Sequence, residues 1–270
     1  MSLLVEGKIP IFGAVFDVDG TLLPKNSSRL NQLVPTTPAV TDAIRITSGL
    51  IGTGLVTANP LTKVGSLIDH LMLSGLNILS NGAQIYSREF GFIEEWKLNK
   101  TAALEIAKCF EGLGVVNWIQ DDGEDRRNLN SYTPNKPFIV VAKHMQRVAA
   151  EEILLKIQQY DPNEIAGCIA QLHNPNDVDM FVAHPNADKG RSIRLVAELM
   201  GTNPKELAAF GDGQNDVDMF KQVGFGVAMG DAVPDLIRIA THITGTVKED
   251  GVAQALNKYF LNAPFAIKES

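Results

Sequence analysis

The run Ala14-Val15-Phe16-Asp17-Val18-Asp19-Gly20-Thr21-Leu22 carries an apolar stretch into two aspartates, two residues apart, and a glycine-threonine turn. Side chains repeat every two residues along a strand, so Asp17 and Asp19 leave the sheet pointing the same way. Two carboxylates held together repel unless a cation lies between them or one is protonated. Such a pair is costly as structure and useful as chemistry.

The rest of the chain sets where that pair can sit. Ile11 to Phe16 reads as a buried strand, and Thr37 to Ser48 as a helix with Thr37 as N-cap and Pro38 at its first position. Strand Gly52 to Thr57, helix Leu61 to Leu73 and strand Asn77 to Leu79 follow, the last entering Ser80-Asn81-Gly82-Ala83. Strands separated by helices imply right-handed crossovers, and so an α/β class with a Rossmann-like, doubly wound parallel sheet. From Gln84 onward strand candidates come in pairs: Gln84–Ser87 with Phe92–Trp96, Val115–Gln120 with Pro137–Ala142, and Ile165–Leu172 with Val178–Ala183. Helices Lys100 to Leu113 and Met145 to Tyr160 separate the pairs, which predicts an open antiparallel sheet covered by two helices. After Lys189 the first pattern resumes, with helix Arg191–Met200, strand Leu207–Phe210, helix Asp218–Gln222, strand Gly226–Ala228, helix Val233–Ile239 and strand His242–Ile243. The expected organisation is a core of residues 1–83 and 187–270 with an α+β cap, 84–186, inserted into it.

Composition narrows the partners. A net charge of -7 argues against nucleic acid bound by phosphate neutralisation. A small anionic substrate stays compatible with it, because a divalent cation and one lysine can invert the local potential. Two cysteines, Cys109 and Cys168, are too few for a disulfide framework, and Cys109 is expected in the core. No stretch approaches the roughly 18 apolar residues of a membrane span, and Glu6 and Lys8 interrupt the N-terminal segment. The expectation is a cytoplasmic protein without membrane or nucleic-acid partners, as a monomer or small homo-oligomer.

Ligands of open parallel sheets bind at the carboxyl ends of the strands. Asp17 and Asp19 end the first strand, Thr57 the second, and Asp212, Asn215 and Asp216 follow Leu207–Phe210 within Gly211-Asp212-Gly213-Gln214-Asn215-Asp216. Lys189 opens the helix that re-enters the core. This set suits phosphoryl transfer. A hard cation, Mg2+, takes oxygen ligands, for which Asp17, a backbone carbonyl near Asp19, Asp212 and, less directly, Asp216 are the candidates. An Asp17 oxygen can attack phosphorus and form an aspartyl-phosphate. Asp19 can protonate the leaving alkoxide and then deprotonate the hydrolytic water. Lys189 and Thr57, with backbone N–H groups near Gly20 and Ala58 and with Asn215 beside them, are the candidates for holding the phosphate oxygens.

These residues give the chain a resemblance to the haloacid dehalogenase superfamily, in its Cof-type phosphatase branch with an α/β cap. It rests on Asp17-Val18-Asp19-Gly20-Thr21-Leu22, Thr57, Ser80-Asn81-Gly82-Ala83, Lys189-Gly190 and Gly211–Asp216, and it covers essentially the whole chain. The resemblance implies a Mg2+-dependent phosphomonoesterase with Asp17 as nucleophile and Asp19 as general acid and base, acting on a small phosphorylated metabolite, a sugar phosphate foremost. The family's second motif continues Thr-Gly-Arg, whereas this chain reads Thr57-Ala58-Asn59-Pro60. The hydroxyl is kept, while the glycine's backbone freedom and the arginine's charge are not.

Other readings compete with this one. Both aspartate-rich segments resemble calcium loops, but the twelfth positions counted from Asp17 and Asp212 are Ser28 and Val223, where a glutamate is needed. A phosphosugar mutase would use the same aspartate, and a sensor could bind Mg2+ and a phosphorylated ligand without turnover. Asn81 reads as support for a left-handed turn or as a neighbour of the site. Arg126 and Arg127 read as a solvated hairpin or as contacts to a substrate anion.

Overall fold

A computed structural model describes residues 2–5, 9–25, 36–122, 124–126, 133–171 and 176–262. Two compact units emerge, one from residues 1–93 and 188–270 and the other from 94–187.

The first unit is organised by strands β1 (Leu3–Val5), β2 (Ile9–Ile11), β3 (Gly13–Phe16), β4 (Gly52–Leu55) and β5 (Asn77–Leu79). Helices α1 (Pro38–Ser48) and α2 (Leu61–His70) lie between the later strands. Thr37 caps α1 as expected, its hydroxyl accepting from Val40 N at 3.3 Å. Every residue of β3 is buried, which suits a strand covered on both faces. Ile9–Ile11 is not part of that strand, because it turns back to pair antiparallel with β1.

Strands β6 (Gln84–Ser87) and β7 (Gly91–Glu95) form a three-stranded antiparallel sheet with β5. The expected boundary at residue 84 therefore moves to 93/94. The physical reason is register: β6 pairs directly with β5, and buried Asn77 bridges neighbours by accepting from Leu55 N and donating to Tyr86 O.

After the inserted unit come α5 (Lys189–Leu199), β13 (Leu207–Gly211), α6 (Val217–Gln222), β14 (Phe225–Ala228), α7 (Pro234–Ile239), β15 (His242–Ile243) and α8 (Gly251–Ala255). A π-helical segment, Leu256–Leu261, extends α8. This C-terminal helix escapes the sequence reading, yet it places Leu256 and Phe260 in the core cluster with Phe16, Phe210 and Phe225. The main sheet has the order β15-β14-β13-β3-β4, all parallel, and a Val56–Ile78 bridge joins β5 to its edge. The chain winds outward in both directions from β3 and β13. Ligands of such sheets bind where the winding reverses, at the carboxyl ends of these two strands.

The second unit holds α3 (Lys100–Lys108), β8 (Val116–Asp121), β9 (Glu124–Arg126), β10 (Pro137–Gln146), α4 (Arg147–Ile157), β11 (Ala166–Gln171) and β12 (Asp177–Ala183). Its antiparallel sheet has the order β11-β12-β10-β8-β9. Ile106 and Phe110 of the α3 segment and Ile153 and Ile157 of α4 pack with Ile119, Val140 and Val182 of the sheet. Cys109, at the end of α3, packs half-buried against this core, its thiol donating to Glu105 O at 3.4 Å. The Arg126 side chain and Arg127 lie outside the described residues. No described helix is long and apolar enough to cross a membrane.

Candidate active site

Asp17 follows β3, Thr57 lies two residues beyond β4, and Asp212 follows β13. Lys189 is the first residue of α5. The structure thus brings the expected set to one end of one sheet, all within the first unit.

Lys189 is the pivot. It is 1% exposed, and its Nζ donates to Asp17 Oδ1 at 2.8 Å and to Asp216 Oδ1 at 2.7 Å. A cation at a helix N-terminus opposes the macrodipole, so the two carboxylates rather than the helix hold it there. Burial works to lower the ammonium's pKa, and Asp17 and Asp216 together override it and hold the group above its ordinary value. Burial pushes the Asp17 carboxyl well up; Lys189 pulls it back, and Asp216 and Asp212 add to the rise. One buried ammonium does not offset three buried carboxylates.

Asp212 is 3% exposed, and burial, followed by Asp216, pushes its carboxyl up against the pull of Lys25. The Lys25 Nζ lies 2.9 Å from Asp212 Oδ2, and the Thr21 hydroxyl donates to Oδ1 at 3.4 Å. Gly20, at φ +96°, packs its backbone on this carboxylate, and a Cβ there would overlap it. Asp216 accepts three hydrogen bonds: one oxygen takes Lys189 at 2.7 Å, and the other accepts from Asp212 N at 3.1 Å and Gly213 N at 3.0 Å. It holds the loop and the lysine in place.

Carboxylate oxygens of Asp17, Asp212 and Asp216 lie within 4.8 Å of one another. Their all-oxygen donor set and the excess negative charge fit a small hard cation. The Asp19 side chain is turned elsewhere, its Oδ2 accepting from Asn59 Nδ2 at 2.9 Å.

Gly20 and Asn215, expected beside the phosphate, both have partners within the protein. The Gly20 N–H donates to Leu23 O at 2.6 Å, closing the turn after Asp19, so Gly20 serves the site through its missing Cβ and not through its amide. The Asn215 Nδ2 approaches Asn81 Oδ1 at 3.4 Å, while Asn81 adopts the left-handed conformation, so both readings of Asn81 hold together. Thr57 is buried and Ala58 half-buried, at the turn where they were expected. Gly82, at φ +100°, packs against the Asp188 backbone, and its carbonyl accepts from the Ser192 hydroxyl at 3.0 Å. This ties the Ser80–Gly82 turn to α5.

Sequence reasoning missed Lys25 and the partners of Asn59. Lys25 carried no pattern that would mark it. Asn59 was marked by its departure from Thr-Gly-Arg, but the departure did not say what the residue touches.

The sequence profile of the haloacid dehalogenase-like hydrolases matches residues 14–256. The chain belongs to this family. Among relatives of this hydrolase, Bacillus subtilis YxeH is 25% identical over 276 residues, 91% of this chain and 97% of that one. The 5-amino-6-(5-phospho-D-ribitylamino)uracil phosphatase YcsE of Bacillus subtilis is 26% identical over 214 residues, 76% of this chain and 80% of that one. A match to a Haemophilus influenzae protein reaches 42% identity but spans 79 residues, 29% of this chain and 30% of that one. Among solved structures, a subclass IIB sugar phosphatase of the superfamily superposes with a TM-score of 0.70 at 19% identity, covering 91% of this chain and 98% of its own. A haloacid dehalogenase-like hydrolase from Bacteroides thetaiotaomicron gives 0.71 at 21% identity, covering 92% and 99%. The hydrolase therefore shares the family fold over nearly its full length.

Proposed function

We propose that this hydrolase is a Mg2+-dependent phosphatase that removes phosphate from a small phosphorylated metabolite, a sugar phosphate, through an aspartyl-phosphate on Asp17. The observation that carries the reading is buried Lys189, which holds Asp17 by one carboxylate oxygen and so leaves the other to attack phosphorus in line. As the Oδ–P bond forms, the bond from phosphorus to the leaving oxygen breaks, and Asp19 gives its proton to that oxygen. Asp19, now ionised, takes a proton from a water that attacks the phosphoryl group. Asp17 is released and inorganic phosphate departs. Lys189, the Thr57 hydroxyl and the turn at Ala58 hold the charged phosphoryl oxygens.

Asp17 and Asp212, with the Asp19 carbonyl, would hold Mg2+, which when bound supplies charge stabilisation to the phosphoryl oxygens. Asp216 anchors Asp212 and Lys189 instead of reaching the cation itself. The substrate named for YcsE carries its phosphate on a ribityl chain, and the structural neighbour is named for sugars, so an alkoxide leaving group is common to both. The inserted unit, 94–187, is assigned the choice of substrate.

The test is phosphate release from a panel of phosphorylated sugars and sugar alcohols with Mg2+, with Asp17→Asn as the blank. Wild type is expected to release phosphate and the variant none. Substantial turnover by Asp17→Asn, with deamidation excluded, defeats the nucleophile assignment.

A further inference from the structure

Asn59 stands where the family motif has arginine, and it makes three hydrogen bonds inside the site. Its backbone N–H donates to Thr57 Oγ1 at 3.1 Å, and its Nδ2 donates to Thr57 Oγ1 at 3.0 Å and to Asp19 Oδ2 at 2.9 Å. A carboxylate only accepts, so the amide must present its nitrogen to Asp19, and both Nδ2 hydrogens are used. A threonine hydroxyl has two acceptor lone pairs and one hydrogen. Asn59 fills both lone pairs. Among the described residues no protein acceptor takes the remaining Thr57 hydrogen, although Thr57 is buried. The residue itself is well held: Ser80 N donates to Asn59 O at 3.0 Å, Asn81 N to Thr57 O at 2.9 Å, and Pro60 follows.

We infer that Asn59 is a positioning residue: it leaves the Thr57 hydroxyl hydrogen to be donated to a substrate phosphate oxygen, and by holding Asp19 Oδ2 it fixes the orientation in which the Asp19 carboxyl meets the leaving group. An arginine side chain also carries only donors, but with a full charge and on a long stem. The asparagine does the task with a neutral amide close to the backbone. This inference rests on the phosphatase reading above.

The test compares kcat of wild type and Asn59→Ala on 2,4-dinitrophenyl phosphate, whose leaving group needs no proton, and on phenyl phosphate, whose leaving group does. Inhibition by inorganic phosphate is measured alongside. Of the 10²–10⁴ that a general acid contributes, the variant is expected to lose about 10- to 100-fold on phenyl phosphate and about threefold or less on 2,4-dinitrophenyl phosphate. Phosphate inhibition is expected to weaken, because the Thr57 hydrogen is no longer directed. Asn59→Ser cannot span to Asp19 and is expected to give the same split should the alanine variant fail to fold. An equal loss on both substrates, or unchanged phosphate inhibition, overturns the inference. A wild type that hydrolyses neither ester with Mg2+ overturns the phosphatase reading itself, and the inference with it.

Discussion

In the first unit Lys189 is wedged between two carboxylates with almost no side chain exposed; in the second, Lys143 keeps 20% of its side chain exposed, pairs among the described residues with Asp179 alone and covers the Phe181 ring. The second pair explains itself by the fold. Asp179 lies on β12 opposite a register shift between Ala142 and Met145 of β10, and it also accepts from His144 N at 3.1 Å, at a residue in the left-handed conformation. It fastens a bulge. The first cluster has no such explanation. Burying charge costs several kcal/mol per ion, a helix start disfavours the lysine, and the three carboxylates exceed the two ammonium groups beside them, of which only Lys189 is buried. Charge kept at that cost suits the reactivity proposed for the site, whereas the pair in the second unit is held for shape.

Substitutions separate the two kinds of charge. Asp17→Asn should lower phosphate release by about 10⁴-fold or more, the scale seen for lost nucleophiles, with the circular dichroism spectrum unchanged. Lys189→Met should cost about 3–5 kcal/mol in urea unfolding, because it leaves Asp17 and Asp216 buried without their counter-charge. Lys143→Met, in the partly solvated pair, should cost about 1 kcal/mol or less. Equal costs would erase the contrast.

Metal removal probes the excess charge directly. Chelation should stop phosphate release and Mg2+ restore it, and Mg2+ should raise the melting temperature of wild type, by linkage about 2.7 kcal/mol of stability at a hundredfold excess over Kd. Asp212→Asn should lose that response. In chelator the variant should melt above wild type at neutral pH, because a folded-state carboxyl held above its ordinary value of 3.8 binds more protons folded than unfolded. Its contribution to wild-type stability is present below 3.8 and is lost as pH rises through the folded value, so the variant's advantage should shrink as pH falls toward 3.8. A gap that widens on acidification would refute this.

The smallest effect lies in the second unit. Burial, with the hydrogen bond to Glu105, pushes Tyr160 up from 10.0 to about 12. Ultraviolet titration of Glu105→Gln should move it back down, with stability changed by about 0.5 kcal/mol or less.

Where the sequence reading succeeded, the signal was local. Thr37 before Pro38 marks the start of α1, and Asn77–Leu79 is read to the residue, because caps and buried apolar runs act within a few positions. The hairpin begun by Gln84–Ser87 looks like the first pair of the inserted unit because its pattern is the same; only the pairing of β6 with β5 assigns residues 84–93 to the first unit. The C-terminal helix was missed, its short α8 passing into a π-helical segment that tertiary packing on the Phe16–Phe210 cluster stabilises. In the site, the placement of Asp17, Thr57 and Asp212 at strand ends and of Lys189 at a helix start was legible because each adjoins an apolar or helical run that the sequence marks. The bond from the Gly20 amide to Leu23 was not legible, since it depends on how tightly the turn closes.

Residue type and order alone determined that two aspartates end a buried strand, that a threonine, a lysine and a third aspartate join them, and that an antiparallel unit interrupts the sheet. Only the tertiary structure decided which groups each carboxylate meets. Lys189 takes one oxygen of Asp17, Asp216 spends both of its own, and Asn59 reaches 40 positions back to Asp19. The physical reason is that a side chain's chemical type is a property of the residue, whereas its hydrogen-bond partners are set by which strand ends the parallel sheet brings side by side.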